Sequence, residues 1–281
     1  MARILCVGIA TLDLIFRIDH YPQEDEEMRA KSLRITRGGN AANTAVVLAA
    51  LGHKTSFAGV LAEGGESALI VDDLARQGVD WSCSIRRPGR PPTSSILLAP
   101  SGSRTIVHYR DLPEFSARDF AAIDLAGFDW VHFEGRNVPE LPPMMARVRE
   151  AGARLSLEVE KPRPGVEVLL DFPDVLLTGR ALARAWDHLD PETFLTALRL
   201  RAPRPLIFLG WGEAGAWALE GSRIHHTPAF PPPVVVDTVG AGDTFNAGVI
   251  HGLLRGADVA TTLREAARLA GRKCGREGFS F

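Results

Sequence analysis

The chain has 281 residues, 46% of them hydrophobic, and a formal net charge of -2. That length and apolar content suffice for a sizeable core in one large domain or two smaller ones. Near-neutral charge without a basic run or polybasic tail argues against nucleic acid or a membrane surface as a partner.

In chain order, strand patterns alternate with helical ones. Residues 4–10 are apolar but too few to span a bilayer, and Asp13, Arg17 and Asp19 follow them. The run therefore reads as a buried strand, not a membrane span or secretory signal. Residues 39–51 predict a helix ending at Gly52, 55–60 a strand, and 66–77 a helix stopped by Gly78. Further strands are expected at 130–134, 154–160, 175–178 and 206–210, and helices at 245–255 and 260–274. Such alternation predicts a mostly parallel sheet with helices on both faces, in a single domain spanning 1–281. Two stretches interrupt it, about 14–36 and 93–109, and these read as antiparallel excursions forming one small β lid. Cys6, Cys83 and Cys274 are widely spaced with no Cys-x-x-Cys pair, as expected of reduced thiols in the cytoplasm. The eight histidines show no metal-ligand spacing.

The most informative stretch is Val234-Val-Val-Asp-Thr-Val-Gly-Ala-Gly-Asp-Thr-Phe-Asn-Ala-Gly248. Its β-branched start reads as the end of a strand. Gly240 and Gly242 permit a tight bend, after which a helix opens with free backbone N–H groups and a favourable dipole. Such a turn suits phosphate, and Asp243 within it can take a proton from a neighbouring hydroxyl. Phosphoryl transfer is the chemistry implied. The turn is no dinucleotide fingerprint, because Phe245 holds the third glycine position, and no Walker A loop, because Gly-Lys-Ser/Thr is absent. The plain alternative is a strand-to-helix connection with a capping Asp.

A second constellation lies near the start. Asp13 is expected just beyond the carboxyl end of the first strand, where ligand crevices form in open α/β sheets. Gly38-Gly-Asn-Ala-Ala-Asn43 is another glycine-rich helix start, and Asn40 and Asn43 share a helical face. Together these three side chains suit a polyhydroxyl ligand. Taken singly, Asn40 reads equally well as an N-cap and Asp13 as a solvated loop residue.

Arg37-Gly-Gly-Asn-Ala-Ala-Asn43 together with Asp237-Thr-Val-Gly-Ala-Gly-Asp-Thr-Phe-Asn-Ala247 resembles the paired signatures of the ribokinase-like (PfkB) carbohydrate kinases. His132-Phe-Glu-Gly-Arg-Asn137, Glu158-Val-Glu-Lys-Pro-Arg163, Phe230-Pro-Pro-Pro233 and Gly271-Arg-Lys-Cys-Gly275 are most similar to the ketohexokinase branch. The resemblance runs from end to end. It implies a three-layer α/β/α fold with a small β-sheet lid, and a homodimer in which two lids interlock.

It further implies that Asp13, Gly39, Asn40 and Asn43 bind sugar hydroxyls, and that Asp25 reaches the partner subunit's sugar. Asp243 corresponds to the catalytic base, and Gly240, Ala241 and Gly242 to the anion hole. Arg104 resembles a lid arginine that approaches the phosphates. Trp211, Gly212, Gly215, Ala216, Phe230, Pro231 and Thr238, with Gly240 and Gly242, correspond to the nucleotide side. ATP with Mg2+ is implied, and K+ is a further cofactor to consider. Many relatives carry an Asn-x-x-Glu motif near magnesium, whereas this chain has Leu177-Thr-Gly-Arg-Ala-Leu182. Glu158 and Glu160, alternating with apolar neighbours at a strand end, are the candidates to hold the metal through water. Three functions stay open: a kinase making a ketohexose 1-phosphate, a kinase for another acceptor (ribose, tagatose or 2-keto-3-deoxygluconate), and a non-catalytic sugar- or nucleotide-binding regulator.

Overall fold

The computed structural model describes residues 1–279. The first half of the chain runs β1 (Arg3–Val7), β2 (Thr11–Arg17), β3 (Ser32–Gly38), α1 (Asn40–Ala50), β4 (Lys54–Ala58), β5 (Val60–Ala62), α2 (Ala68–Arg76), β6 (Val79–Asp80), β7 (Ile85–Arg87), β8 (Thr93–Leu98) and β9 (Arg104–Tyr109). The second half continues α3 (Ala117–Ala121), β10 (Trp130–Glu134), α4 (Leu141–Glu150), β11 (Arg154–Val159), β12 (Val175–Gly179), α5 (Arg180–Ala185), α6 (Pro191–Arg201), β13 (Leu206–Gly210), β14 (Ala216–Glu220), β15 (Arg223–Thr227), α7 (Ala241–Leu254) and α8 (Val259–Cys274).

Nine strands form the main sheet in the order β15-β14-β13-β12-β11-β10-β1-β4-β6. Every pair from β6 to β13 is parallel, and β14 and β15 add an antiparallel edge. Central parallel strands are covered on both faces, so they read as unbroken apolar runs. The two-residue period of β1 shows how one run serves two layers. Ile4 and Cys6 join the core beneath α1, α7 and α8, while Leu5 and Val7 join the core beneath α3, α4 and α6. Helix α7 packs against both α1 and α8, which fixes its N-terminus beside that of α1.

The lid is a separate four-stranded sheet, β3-β2-β8-β9. It is not wholly antiparallel, since β2 and β8 run parallel. Its own small core, Ile15, Ile96 and Leu98, packs onto Val239 just before the glycine turn. The lid therefore rests on the segment that leads into the glycine turn.

Several elements depart from the expected boundaries. The first strand stops at Val7 instead of residue 10, because the amide of Ile9 donates to the buried Glu134 Oε2 at 3.0 Å and the chain bends there. Asp13 consequently sits within β2, the first lid strand, and not in a loop beyond β1. The Val234-Val235-Val236 run forms no strand. Three prolines precede it and lack the N–H groups a ladder needs, and Val234 and Val235 are exposed. The hairpin β14–β15 was not anticipated, and neither was the small β5–β7 sheet.

Candidate active site

Two glycine-led helix starts face each other at the carboxyl ends of the parallel strands. Helix α1 begins after Gly39, held at φ 96°, where a Cβ would collide with the carbonyl of Ile9. Helix α7 begins after Gly240, at φ 79°. Both positions lie in the left-handed region that only glycine enters freely. Neither helix has a side-chain cap; in α7 the Ala241 amide donates to the carbonyl of Thr238 at 3.3 Å, which leaves those of Gly242 and Asp243 for other partners.

The side chains of these first turns reach across the gap. Asn43 Nδ2 donates to Asp243 Oδ2 at 2.7 Å, and Arg37 Nη1 donates to Asn43 Oδ1 at 2.5 Å. Arg37, itself buried, is paired with Asp73 at 2.8 Å. Asn40 Nδ2 donates at 3.3 Å to Glu158 Oε2 and at 3.3 Å to Glu160 Oε2. Asn246, one turn along α7, donates to Glu158 Oε1 at 2.8 Å. Asn40 is thus the first residue of the helix and a bridge to β11, not an N-cap. Asp13 is buried, accepts from Thr11 Oγ1 at 2.7 Å, and lies so close to Gly38 that any Cβ there would strike its carboxylate.

Burial dominates the electrostatics. It pushes the Asp243 carboxyl up from 3.8 to about 7; Asn43 opposes the shift, while Glu160 and Glu134 add to it. Glu158 is raised well above the carboxylate range by burial and then by Asp243, Glu134 and Glu160. Asp13 is raised by burial against the pull of Thr11, Ser94, Arg37 and Arg34. A buried carboxyl with a pKa near working pH, beside a helix start, is poised to accept a proton.

Three lid arginines meet the segment that leads into the glycine turn. Arg17 Nη2 donates to the carbonyl of Val236 at 3.3 Å, Arg34 Nη2 to Asp237 Oδ2 at 2.8 Å, and Arg104 Nη1 to Thr238 Oγ1 at 3.3 Å. Arg104 and Thr238 therefore lie together. Asp25 is exposed in the loop between β2 and β3, at φ 62°, and touches none of these residues.

On the other side of the turn, Gly212 and Gly215 lie in the connection from β13 to β14, and Ala216 opens β14. Trp211 differs from expectation: its indole is buried in the core against Trp217, so the backbone of the loop is what a ligand meets. Phe230 and Pro231 line a cleft of about 540 Å³ with Arg268, Arg272 and Gly275. The Arg268 guanidinium lies 4.9 Å from the Phe230 ring centroid.

The site also contains residues to which the sequence reading assigned no role: Arg37, Glu134, Asn246 and Lys273. All four stand in the quoted stretches, and Arg37 and Asn246 pair with residues far along the chain. Their partners Asp73 and Glu158 are 36 and 88 positions away, so no local pattern announces the contacts.

Among the described residues no cluster of three or more His, Cys, Asp or Glu could hold a metal. A Mg2+ ion needs less, since it binds through one or two carboxylates, substrate phosphates and retained waters. Glu158 and Glu160, joined by Asn40, fit that role. The carbonyl of Cys274 accepts from Val236 N and Asp237 N, and that of Asp237 accepts from Lys273.

The pfkB family carbohydrate kinase model matches residues 1–281. The chain is 41% identical to ketohexokinase of Mus musculus over 293 residues, covering 99% of this chain and 97% of that one. Ribokinase of Bacillus subtilis is 27% identical, with 96% and 92% covered. Arabidopsis thaliana ribokinase, solved with ribose and ATP, superposes with a TM-score of 0.82 at 24% identity, over 99% of this chain and 94% of that one. Adenosine kinase of Sinorhizobium meliloti gives a TM-score of 0.86 at 21% identity, over 100% and 96%. The fold is ribokinase-like, and the chain belongs to the pfkB family of carbohydrate kinases as an ATP-dependent sugar kinase.

Proposed function

We propose that the protein phosphorylates a ketohexose of the fructose type, giving the 1-phosphate. The observation that carries this reading is the 2.7 Å bond from Asn43 to Asp243. It joins the polar face that suits a sugar to the carboxylate at the phosphate turn. The 41% identity with ketohexokinase supports a ketohexose as acceptor.

In the proposed reaction, Asp13, Asn40 and Asn43 hold the sugar hydroxyls, and the Gly39 backbone lies alongside. Asp243 accepts the proton of the attacking hydroxyl, which becomes the bridging oxygen of the phosphate ester. Such general-base assistance contributes on the order of 10²–10⁴-fold. The amides of Gly242 and Asp243, left without a cap at Gly240, receive the charge on the transferred group, and that of Ala241 joins them by giving up the carbonyl of Thr238. Arg104 leaves Thr238 to meet the same phosphates, and Thr238 stays beside them. The nucleotide runs past the loop of Gly212, Gly215 and Ala216 toward Phe230 and Pro231. Mg2+, held through water by Glu158 and Glu160, offsets phosphate charge when bound. Positioning and electrostatics account for the rest, because phosphoryl transfer asks little covalent chemistry of the protein.

The lid supplies the proposed dimer contact. Leu33 and Ile35 on β3 and Ile106, Val107 and Tyr109 on β9 are exposed large apolar side chains. A second lid packed on them brings Asp25 to the partner subunit's sugar. Three cysteines without a disulfide suit a cytoplasmic setting. No helix among the described residues is long and apolar enough to cross a membrane.

The test is ADP release across a panel of fructose, tagatose, ribose and 2-keto-3-deoxygluconate, with the phosphate position assigned by NMR. Fructose with phosphate on O1 is expected to give the highest kcat/KM. A higher value for ribose or the keto acid moves the acceptor assignment. ATP binding without turnover on any sugar leaves a regulator.

A further inference from the structure

One strongly buried cation beside this site has no role in the reaction described above. Lys273, near the end of α8, is only 1% exposed. Removing an ammonium from water is costly unless it is well paired. Here Nζ donates to the backbone carbonyl of Asp237 at 2.8 Å and lies 3.2 Å from Asp237 Oδ2. The same carboxylate accepts from Arg34 Nη2 at 2.8 Å, from Val239 N at 2.9 Å and from Gly278 N at 3.3 Å. The next residue of α8, Cys274, receives the amides of Val236 and Asp237 on its carbonyl, at 2.8 and 3.1 Å. Phe279 closes the arrangement, with its ring centroid 5.6 Å from Nζ and its edge against Gly240.

Residues 236–239 are therefore fixed at carbonyl, amide and side chain immediately before the chain enters the left-handed Gly240. Fixing could be done with neutral groups. Replacing a buried ion pair by well-packed apolar side chains is often neutral or stabilising, so stability gives no strong reason for a charge here. An ammonium behind an anion site has a reason: its field acts through a low-dielectric interior. Burial pulls the Lys273 pKa down, and Asp237 opposes that pull.

We propose that Lys273 is a positioning residue for phosphoryl transfer. Through the Asp237 carbonyl and carboxylate, its ammonium sets how the chain enters the Gly240-Ala241-Gly242 turn. It thereby aims the first-turn amides of α7 at the transferred group without touching substrate. The proposal rests on the reading of that turn as the anion site.

The experiment uses the full chain with Lys273→Met, Lys273→Arg and the double variant Asp237→Asn/Lys273→Met. Steady-state kinetics are measured alongside the affinities for AMP and for ADP with aluminium fluoride. Lys273→Met is expected to lose about 10²-fold in kcat, the usual scale for a preorganised anion-site contribution. Affinity for the fluoride complex falls by a similar factor, while the sugar KM and AMP affinity stay within about threefold, and Lys273→Arg recovers part of kcat. A purely structural lysine would lower the folded fraction and leave kcat per folded molecule unchanged. The double variant removes the carboxylate charge that Lys273→Met leaves paired with Arg34 alone, so it should fold and remain about 10²-fold impaired. Retention of kcat within about twofold by Lys273→Met, or its return in the double variant, overturns the proposal. Gly242→Ala separates the two readings. If it leaves the fluoride-complex affinity intact, the anion-site reading falls; if only Lys273→Met is silent, the lysine proposal falls alone.

Discussion

Helices α6 and α8 begin differently from α1 and α7. In α6 the Asp190 carboxylate accepts from Thr193 N at 2.8 Å, and in α8 the Asp258 carboxylate accepts from Thr261 N at 2.7 Å. Both caps have extended backbone and satisfy their own helix. At α1 and α7 a left-handed glycine stands at the cap, with no side-chain bond to the helix. The first-turn side chains there reach outward, Asn40 to Glu158 and Glu160, and Asp243 to Asn43. At α6 and α8 the first amides are closed by the capping carboxylate. At α1 and α7 that local closure is given up, and the first-turn side chains bond to residues far along the chain instead.

The sharpest way to break this comparison is Asp243→Asn. Turnover should fall by about 10²–10⁴-fold with ATP affinity nearly intact. The same change should raise Tm above pH 8. The carboxyl titrates near 7 folded against 3.8 unfolded, so the folded state holds its proton more tightly and loses stability as pH rises through that window. Retention of more than about a tenth of the rate removes Asp243 as base.

Gly242→Ala comes next. A Cβ there meets nothing within 4 Å in the protein, so the fold should tolerate it. The methyl nevertheless enters the space assigned to phosphate, and kcat should drop by about 10²-fold. An unchanged kcat would mean that no phosphate approaches this backbone.

Asp258→Ala gives the smallest effect and the contrast. Losing the α8 cap should lower Tm by about 2 °C and leave kcat and both KM values unaltered. A fall in kcat of tenfold or more would show that the capped helices also serve the site.

The parallel core, the lid strands at 93–109 and both glycine-led helix starts were legible because each rests on a local pattern. Apolar runs, Gly-x-Gly and Asn spacing all act within a few residues. What escaped depends on distance along the chain. The bend after Val7 is set by Glu134, 125 positions from Ile9, and it moved Asp13 from an expected loop into β2. The three valines at 234–236 have strand propensity but no neighbouring strand to pair with, so propensity yielded to context. Lys273 stood in the quoted Gly271–Gly275 stretch with no role attached, and only the packing of α8 beneath Asp237 buries it.

The measurement that tests the central claim most directly is the pH profile of kcat/KM for the sugar, in the wild type and in Glu160→Gln. If Asp243 is the proton acceptor, activity should rise with pH through an acid limb near 7. Glu160→Gln removes a negative charge that raises the Asp243 pKa, so its limb should move to lower pH. A profile flat from pH 5.5 to 8, or a limb indifferent to Glu160, would contradict the assignment.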